Sequence, residues 1–303
     1  MMAGAQDRLR VVVASLAAVL VLSGPALAAC ADTPPEQRLQ NTFPTDIGRS
    51  LDQIREDGWI EVALYEDFAP WSWEQDGKIQ GIDLDIARLI AADLGVELRP
   101  RLVQASETLD ADLLNYVYRG AVVGGRVSNL FMHAPYDVEY ACRFDQVVFT
   151  GIYAEEHLAI AYRAKDYPEK PPVPAVFRYD PVAVENDSIS DFYLTGLSQG
   201  AANDKIHRLP SIAAAMQALA AGEVMAVMAP RSQIDPLLSD GIQVHEPPFV
   251  GLARSKWPLS IALSFQHRPL GYEVDDIIGA AIADGRIPAI FQAHGVTFHP
   301  PER

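Results

Sequence analysis

The sequence predicts an α/β fold with mainly parallel sheets, and three observations carry that expectation. Short runs of β-branched and small apolar residues recur along the chain, stretches with apolar residues at helical spacing stand between them, and glycines close those stretches. Alternation of that kind builds βαβ units. A short helix is expected around 47–56, ahead of the first strand-like run at 60–64 (Ile-Glu-Val-Ala-Leu). Ile82, Ile86, Leu89, Ile90 and Leu94 then share one face of a helix over 82–94, which Gly95 stops. The next strand reads as 96–103. Beyond a turn-rich middle, 158–162 and 181–184 read as buried strands. Ser211 opens a helix with Ile212, Met216, Leu219 and Ala220 on one face, ended by Gly222. Further strands are expected at 224–228 and 259–265, and Val274, Ile277, Ile278, Ala281 and Ile282 mark a last helix stopped by Gly285. The proline-rich segment 164–176 is a loop inside a domain, because strands resume at once.

Composition narrows the function classes. The chain has 303 residues, 40 Asp and Glu against 24 Lys and Arg, and a formal net charge of −16. That sign repels phosphate backbones, so no nucleic-acid partner is expected. A hydrophobic content of 49% is that of a globular protein, and the length suits one large or two medium domains. Two cysteines cannot build a disulfide scaffold or a cysteine-rich zinc site.

Residues 1–29 read as a signal peptide. Arg8 and Arg10 precede an apolar run at 11–22, and Pro25-Ala-Leu-Ala-Ala offers small residues for cleavage. Twelve apolar residues span about 18 Å as a helix, short of a bilayer core of about 30 Å. No later stretch is long and apolar enough to span a membrane, so the mature chain is expected to be exported and periplasmic. Residues 30–56 then form a polar tether and the short helix. Leu27-Ala-Ala-Cys30 also resembles a bacterial lipobox, which would anchor the chain through a lipid on Cys30. The other reading pairs Cys30 with Cys142 in a disulfide, which the oxidising compartment permits. Both stay open.

Several motifs are set aside. Gly196-Leu-Ser-Gln-Gly200 matches a nucleophile-elbow pattern but lacks the preceding strand, so it reads as a turn. The seven histidines show no metal-ligand spacing, and no phosphate-binding loop or calcium loop is present, so no cofactor or metal is expected. Two clusters stand out. Tyr65-Glu-Asp-Phe-Ala-Pro-Trp-Ser-Trp73 follows a strand, where open parallel sheets bind ligands, and its aromatic faces suit a small organic molecule; Phe68, Trp71 and Trp73 could equally pack beneath the loop. Glu185-Asn-Asp-Ser-Ile-Ser190 follows another strand and leads into a helix; it reads either as a plain cap or as a grip on a ligand. Its acids would oppose an anion and favour a cation or polyol.

In this order, the motifs resemble the family 3 extracellular solute-binding proteins of bacterial ABC transporters. The correspondence covers most of 57–303. The run at 60–64 with Phe68-Ala-Pro-Trp71 looks like the family's first strand and aromatic loop, and Gly81-Ile-Asp-Leu-Asp-Ile86 resembles its Gly-Phe-Asp-x-Asp-Leu signature. Phe149-Thr-Gly-Ile-Tyr153 looks like the stretch entering the hinge, and Val182-Ala-Val184 with Ser188 to Ser190 matches the second-lobe strand and gripping turn. The resemblance implies a two-lobed type II periplasmic binding protein fold: lobe 1 from 57–152 and 252–303, lobe 2 from 153–251, each a mainly parallel sheet flanked by helices, with two hinge crossovers. It implies a non-enzymatic protein that captures a small molecule between lobes and presents it to an ABC permease.

Departures from the family pattern bear on the ligand. The arginine that holds an amino-acid carboxylate is missing from His133-Ala-Pro-Tyr-Asp-Val-Glu139, Pro230 replaces the aspartate that holds the ammonium, and Tyr65 replaces the usual polar acid. Burying a zwitterion without charged partners costs several kcal/mol per ion, so a standard α-amino acid is not the expected ligand. Arg231, either a surface residue or a replacement charge for the cleft, completes the candidate ligand set Tyr65, Phe68, Trp71, His133, Tyr136, Tyr153, Ser188, Ser190 and Arg231. The stretches 112–120, 131–137 and 294–301 also resemble a subgroup associated with pyrroloquinoline-quinone alcohol dehydrogenases. That likeness implies an alternative: an accessory protein of a periplasmic quinoprotein dehydrogenase or its cytochrome, with no transport role. A few proteins of this fold are dehydratases, and Glu66, Glu139 and Glu185 are the acids that position would nominate.

Overall fold

A computed structural model describes residues 48–121, 125–197 and 203–302. The leader, the tether, Cys30 and the Ser198–Gly200 end of the elbow-like motif lie outside the described residues. In chain order the elements are α1 (Leu51–Asp57), β1 (Trp59–Tyr65), β2 (Trp73–Gln75), β3 (Lys78–Gln80), α2 (Ile82–Leu94), β4 (Glu97–Val103) and α3 (Leu109–Leu113). β5 (Leu130–Pro135), α4 (Val138–Arg143), β6 (Val147–Arg163), β7 (Val182–Glu185), α5 (Ile189–Gly196), β8 (Ile206–Leu209) and α6 (Ile212–Ala221) follow. β9 (Ala226–Pro230), α7 (Arg231–Ile234), β10 (Ile242–His245), β11 (Lys256–Ser264), α8 (Arg268–Ala283) and α9 (Arg286–Ala293) complete the chain.

The strands follow one another in space as β4-β1-β5-β11-β6-β9-β7-β8, with β10 also on β6. β1 pairs in parallel with β4 and β5, and β7 with β8 and β9. Antiparallel pairing within this sheet is confined to partners of β6 and β11. β6 is 17 residues long. Its first part pairs with β11 from Val147 to His157, and its last part pairs with β9 from Leu158 to Tyr162. One strand therefore carries the chain from the first lobe into the second.

Each lobe buries its own apolar faces. In the first, α2, α8 and α9 cover β1, β5 and β11 through Ile86, Ile90, Val274, Ile278, Ile287 and Phe291. In the second, Phe177, Val184, Leu194 and Met228 pack on one face of the sheet, and Met216, Leu219, Val227 and Ile234 on the other. Burial at about 25 cal/mol per Å² of apolar surface drives both.

The strand and helix expectations at 60–64, 82–94, 158–162 and 212–222 hold to within a residue or two at most ends. The short first helix begins at Leu51, where the Ser50 hydroxyl and the Gln53 side chain form a capping box. Two elements were hidden in the turn-rich middle. β5 (Leu-Phe-Met-His-Ala-Pro) has no β-branched residue, and in the first half of β6 the strand formers at 147–150 and 152–153 are interrupted by Gly151 and followed by the polar triplet Glu155-Glu156-His157.

The start of α2 fixes the loop that follows β1. α2 has no side-chain cap; instead the N–H groups of Ile82 and Asp83 donate to the carbonyls of Pro70 (3.0 Å) and Trp71 (2.9 Å). Gly81 makes this approach feasible: its φ is 129°, and a Cβ there would stand 2.2 Å from the Trp71 carbonyl oxygen. Gly81→Ala is expected to destabilise the protein by about 2 kcal/mol or more. Urea unfolding of the two proteins measures it, and equal midpoints would contradict this account of the loop.

Candidate functional site

Loop 66–72 stands beyond the carboxyl end of β1, and Phe68 in it separates two cavities. The first, of about 350 Å³, lies between the lobes: Asp67, Phe68, Pro70 and Trp73 line one side, Glu185, Ile212, Gln233 and Leu237 the other, with His294 beside them. The second, of about 300 Å³, is bounded by Tyr65, Glu66, Asp67, Phe68, Asp112, His133 and Pro135. Four carboxylates, Glu66, Asp67, Asp112 and Glu185, border these spaces, and among the described residues no lysine or arginine does. Burial pushes the Glu185 carboxyl above its ordinary range. Tyr65 donates its hydroxyl to Asp112 at 2.6 Å, and burial together with that bond raises the phenol far above its ordinary value.

Behind Phe68 the lobes meet on a buried polar chain. Trp71 is 1% exposed and packs edge-on against His133 (4.5 Å between ring centres), Phe291 (5.7 Å) and Tyr153 (6.4 Å). Its indole Nε1 donates to the Ser232 hydroxyl at 3.1 Å, across the lobe boundary. The Ser232 hydroxyl donates in turn to Glu156, whose other oxygen accepts from the backbone N–H of Ser232 (3.3 Å) and His157 (3.0 Å). Burial raises the Glu156 carboxyl above its ordinary range, against the opposing pull of those hydrogen bonds and of the His133 ring. On the other side of Trp71, the fully buried Asp83 accepts from Tyr153 Oη at 2.8 Å, and His133 Nδ1 stands 3.2 Å from its second oxygen.

His133 reaches this place through a bulge. Ser260 pairs with Ala134 and Ala262 with Phe131, so β5 carries one residue more than β11 there. His133 takes a φ of 63° within the bulge. A bulge re-aims side chains in this way and is common beside functional sites.

Of the residues singled out from the sequence, Tyr65, Phe68 and His133 border the cavities, while Trp71 and Tyr153 form the packed wall behind them. Tyr136 stands apart: its N–H donates to the Pro258 carbonyl at 2.9 Å and its ring tilts against Phe149. Ser188 caps α5 by accepting from the Asp191 N–H at 3.2 Å, and Ser190 is fully buried with its hydroxyl unpartnered; neither borders the two cavities. Arg231 lines neither cavity. Its guanidinium is held by Asp235 (2.5 Å) and Glu246 (3.2 Å), two acids close in the fold that the sequence did not mark as its partners. Among the nominated acids, Glu66 and Glu185 border cavities and Glu139 is exposed. Cys142 is disulfide-bonded, and Cys30 lies outside the described residues. Ser232, Glu156 and Gln233 escaped the sequence reading because no motif flags a polar residue whose neighbours come from the other side of a lobe boundary.

Residues 60–114 match the family model of bacterial extracellular solute-binding proteins, family 3. No curated protein matches the chain. An ancestral cationic amino acid solute-binding protein is similar in structure at a TM-score of 0.66 and 20% identity, over 81% of this chain and 99% of that one. An amino acid ABC transporter substrate-binding protein from Streptococcus pneumoniae, bound to L-arginine, aligns at 0.58 and 19% identity over 82% and 100%. A second from Streptococcus pneumoniae, with bound histidine, aligns at 0.57 and 14% identity over 83% and 98%. The fold is thus the two-lobed type II periplasmic binding protein, as the motif order implied. Among the described residues no helix is long and apolar enough to cross a membrane.

The raised Glu156 carboxyl gives a pH test. An acid whose folded pKa lies above its unfolded value contributes stability fully below the unfolded pKa and loses it as pH rises through the folded one. Wild type should therefore lose stability relative to Glu156→Gln as pH rises above the ordinary carboxylate range. Parallel melting temperatures for the two proteins across that rise would contradict the burial argument.

Proposed function

We propose that this chain is a periplasmic solute-binding protein of the ABC-transporter type, which captures a small molecule between its lobes and carries no catalytic activity. Lobe 1 comprises 57–152 and 252–303, lobe 2 comprises 153–251, and the hinge segments lie near Tyr153 and Val250. Signal-peptide export and a permease partner belong to the same reading. The family match over 60–114 and the shared fold support it.

The observation that carries the ligand class is the set of charges around Phe68. The carboxylates of Glu66, Asp67, Asp112 and Glu185 border the two cavities, and among the described residues no lysine or arginine stands there to receive an anion. A standard α-amino acid would bury its carboxylate without a cationic partner, at a cost of several kcal/mol. The ligand is instead a small cation or neutral polyol with an apolar portion, which lies against Phe68 and Trp73 while Glu185 meets its positive end. Tyr65 and His133 bound the inner end, and Trp71, Tyr153 and Ser232 form the rigid wall.

Calorimetric titration of the leaderless protein with amino acids, diamines, guanidinium compounds and polyols tests this reading. Saturable binding of a cation or polyol is expected, and for a cation Glu185→Gln should weaken it about tenfold, roughly 1.4 kcal/mol. Tight binding of an ordinary zwitterionic α-amino acid would overturn the ligand class.

A second reading has one observation in its favour. Trp71 fills the centre of the lobe boundary and is hydrogen-bonded across it, as befits a body held shut. That would suit an accessory protein of a quinoprotein alcohol dehydrogenase or its cytochrome. Silence across the ligand panel together with capture of that dehydrogenase on the immobilised protein would select it.

A further inference from the structure

Three stretches distant in sequence cross at the hinge. β6 brings Glu155, Glu156 and His157, the chain after β10 brings Glu246, and the C-terminal segment beyond α9 returns to the second lobe with Thr297 and His299. That segment is tied down by its backbone: the Thr297 N–H donates to Asp235 Oδ2 at 2.8 Å, and the His299 carbonyl accepts from the Glu155 N–H at 3.0 Å. The two imidazoles lie face to face, 3.8 Å between centres. Glu246 addresses both, with Oε2 2.6 Å from His157 Nδ1 and Oε1 3.4 Å from His299 Nε2. Ligand atoms of the three side chains all lie within 4.8 Å of one another.

Two further features bear on what this cluster holds. His299 Nε2 is buried and makes no hydrogen bond, although it faces the Glu246 carboxylate. A buried nitrogen left unmet in this way is unfavourable unless something occupies it. The charges also fail to cancel: Glu155, Asp235 and Glu246 bring three carboxylates against the single guanidinium of Arg231. With both imidazoles neutral, as metal ligation requires, two negative charges in this half-buried place are left for one divalent cation to balance.

We propose that His157, Glu246 and His299 bind a divalent transition-metal ion, with zinc the best match, and so fasten the C-terminal segment across the hinge. Two imidazoles and one carboxylate form a zinc ligand set, whose ligand atoms lie about 2.0–2.2 Å from the metal. Zinc meets His157 at Nδ1, the nitrogen that faces Glu246. His157 Nε2 then donates to Glu155, 2.6 Å away, in the carboxylate–histidine–metal arrangement that fixes a ligand's tautomer. Spreading the close His157–Glu246 contact to the ~3.3 Å that separates ligands around tetrahedral zinc needs a movement under ~1 Å, and the stacked His299 ring turns about its side-chain torsions so that its in-plane lone pair meets the same ion. Arg231 keeps Asp235 as its partner throughout.

The test uses the leaderless protein, stripped with chelator and then given zinc alone. One zinc per chain should survive gel filtration, zinc should raise the melting temperature, and cobalt in its place should show the strong visible absorption of a tetrahedral site. His299→Ala and Glu246→Gln should each weaken zinc binding at least tenfold, whereas His207→Ala, at an exposed histidine outside the cluster, should leave it unchanged. Glu246→Gln guards against the chance that the alanine merely frees the C-terminal segment. No retained zinc, zinc binding unaltered in both cluster variants, or a melting temperature that responds to pH but not to zinc would each overturn the proposal.

Discussion

The hydrogen bond from Trp71 Nε1 to Ser232, passed on to Glu156, is the contact on which the arrangement of the two lobes depends. It lies in a dry interior, where a polar group without a partner costs far more than it would in water. Each neighbour is shaped to keep Trp71 there. Gly81 lets α2 close onto the Trp71 backbone, and Phe291 and His133 flank the indole. Asp83 fixes the Tyr153 hydroxyl at the point where β6 leaves the first lobe. Phe68 is left as the aromatic surface facing open space on both sides.

The electrostatics of the cleft follow from what surrounds it rather than from one dominant charge. An acidic chain could still have placed arginines at the lobe boundary, and Arg231 is well situated in sequence to be one. It is instead neutralised by Asp235 and Glu246, so the cavities keep an acidic border.

Much of the fold was legible because local signals and tertiary demands agree. Ile82 to Leu94 shows helical periodicity, its glycine stop and a buried face all at once. The glycine and first aspartate of the signature at 81–86 proved to be the close-approach point and the buried acceptor for Tyr153. β5 was illegible because its residues pack rather than alternate, and the bulge that aims His133 leaves no trace in composition. Tyr65 and Phe68 were nominated from the run that stands beyond the carboxyl end of β1, and both border a cavity, as does His133. Ser232, Glu156 and the His157–Glu246–His299 group were not nominated, since chain separations of 53 to 142 residues hide them from any spacing rule. Tyr136, Ser188 and Arg231 carry side chains suited to a site but meet other partners first.

The most direct measurement is small-angle X-ray scattering of the ligand-free protein beside Ser232→Ala. Removing that hydroxyl leaves the Trp71 indole and the Glu156 carboxylate without their shared partner, a loss of about 1–3 kcal/mol borne by the closed arrangement alone. The account predicts that the variant remains folded but scatters as a more open molecule, with a larger radius of gyration. Superimposable curves from two equally folded proteins would contradict the claim that this contact holds the lobes together.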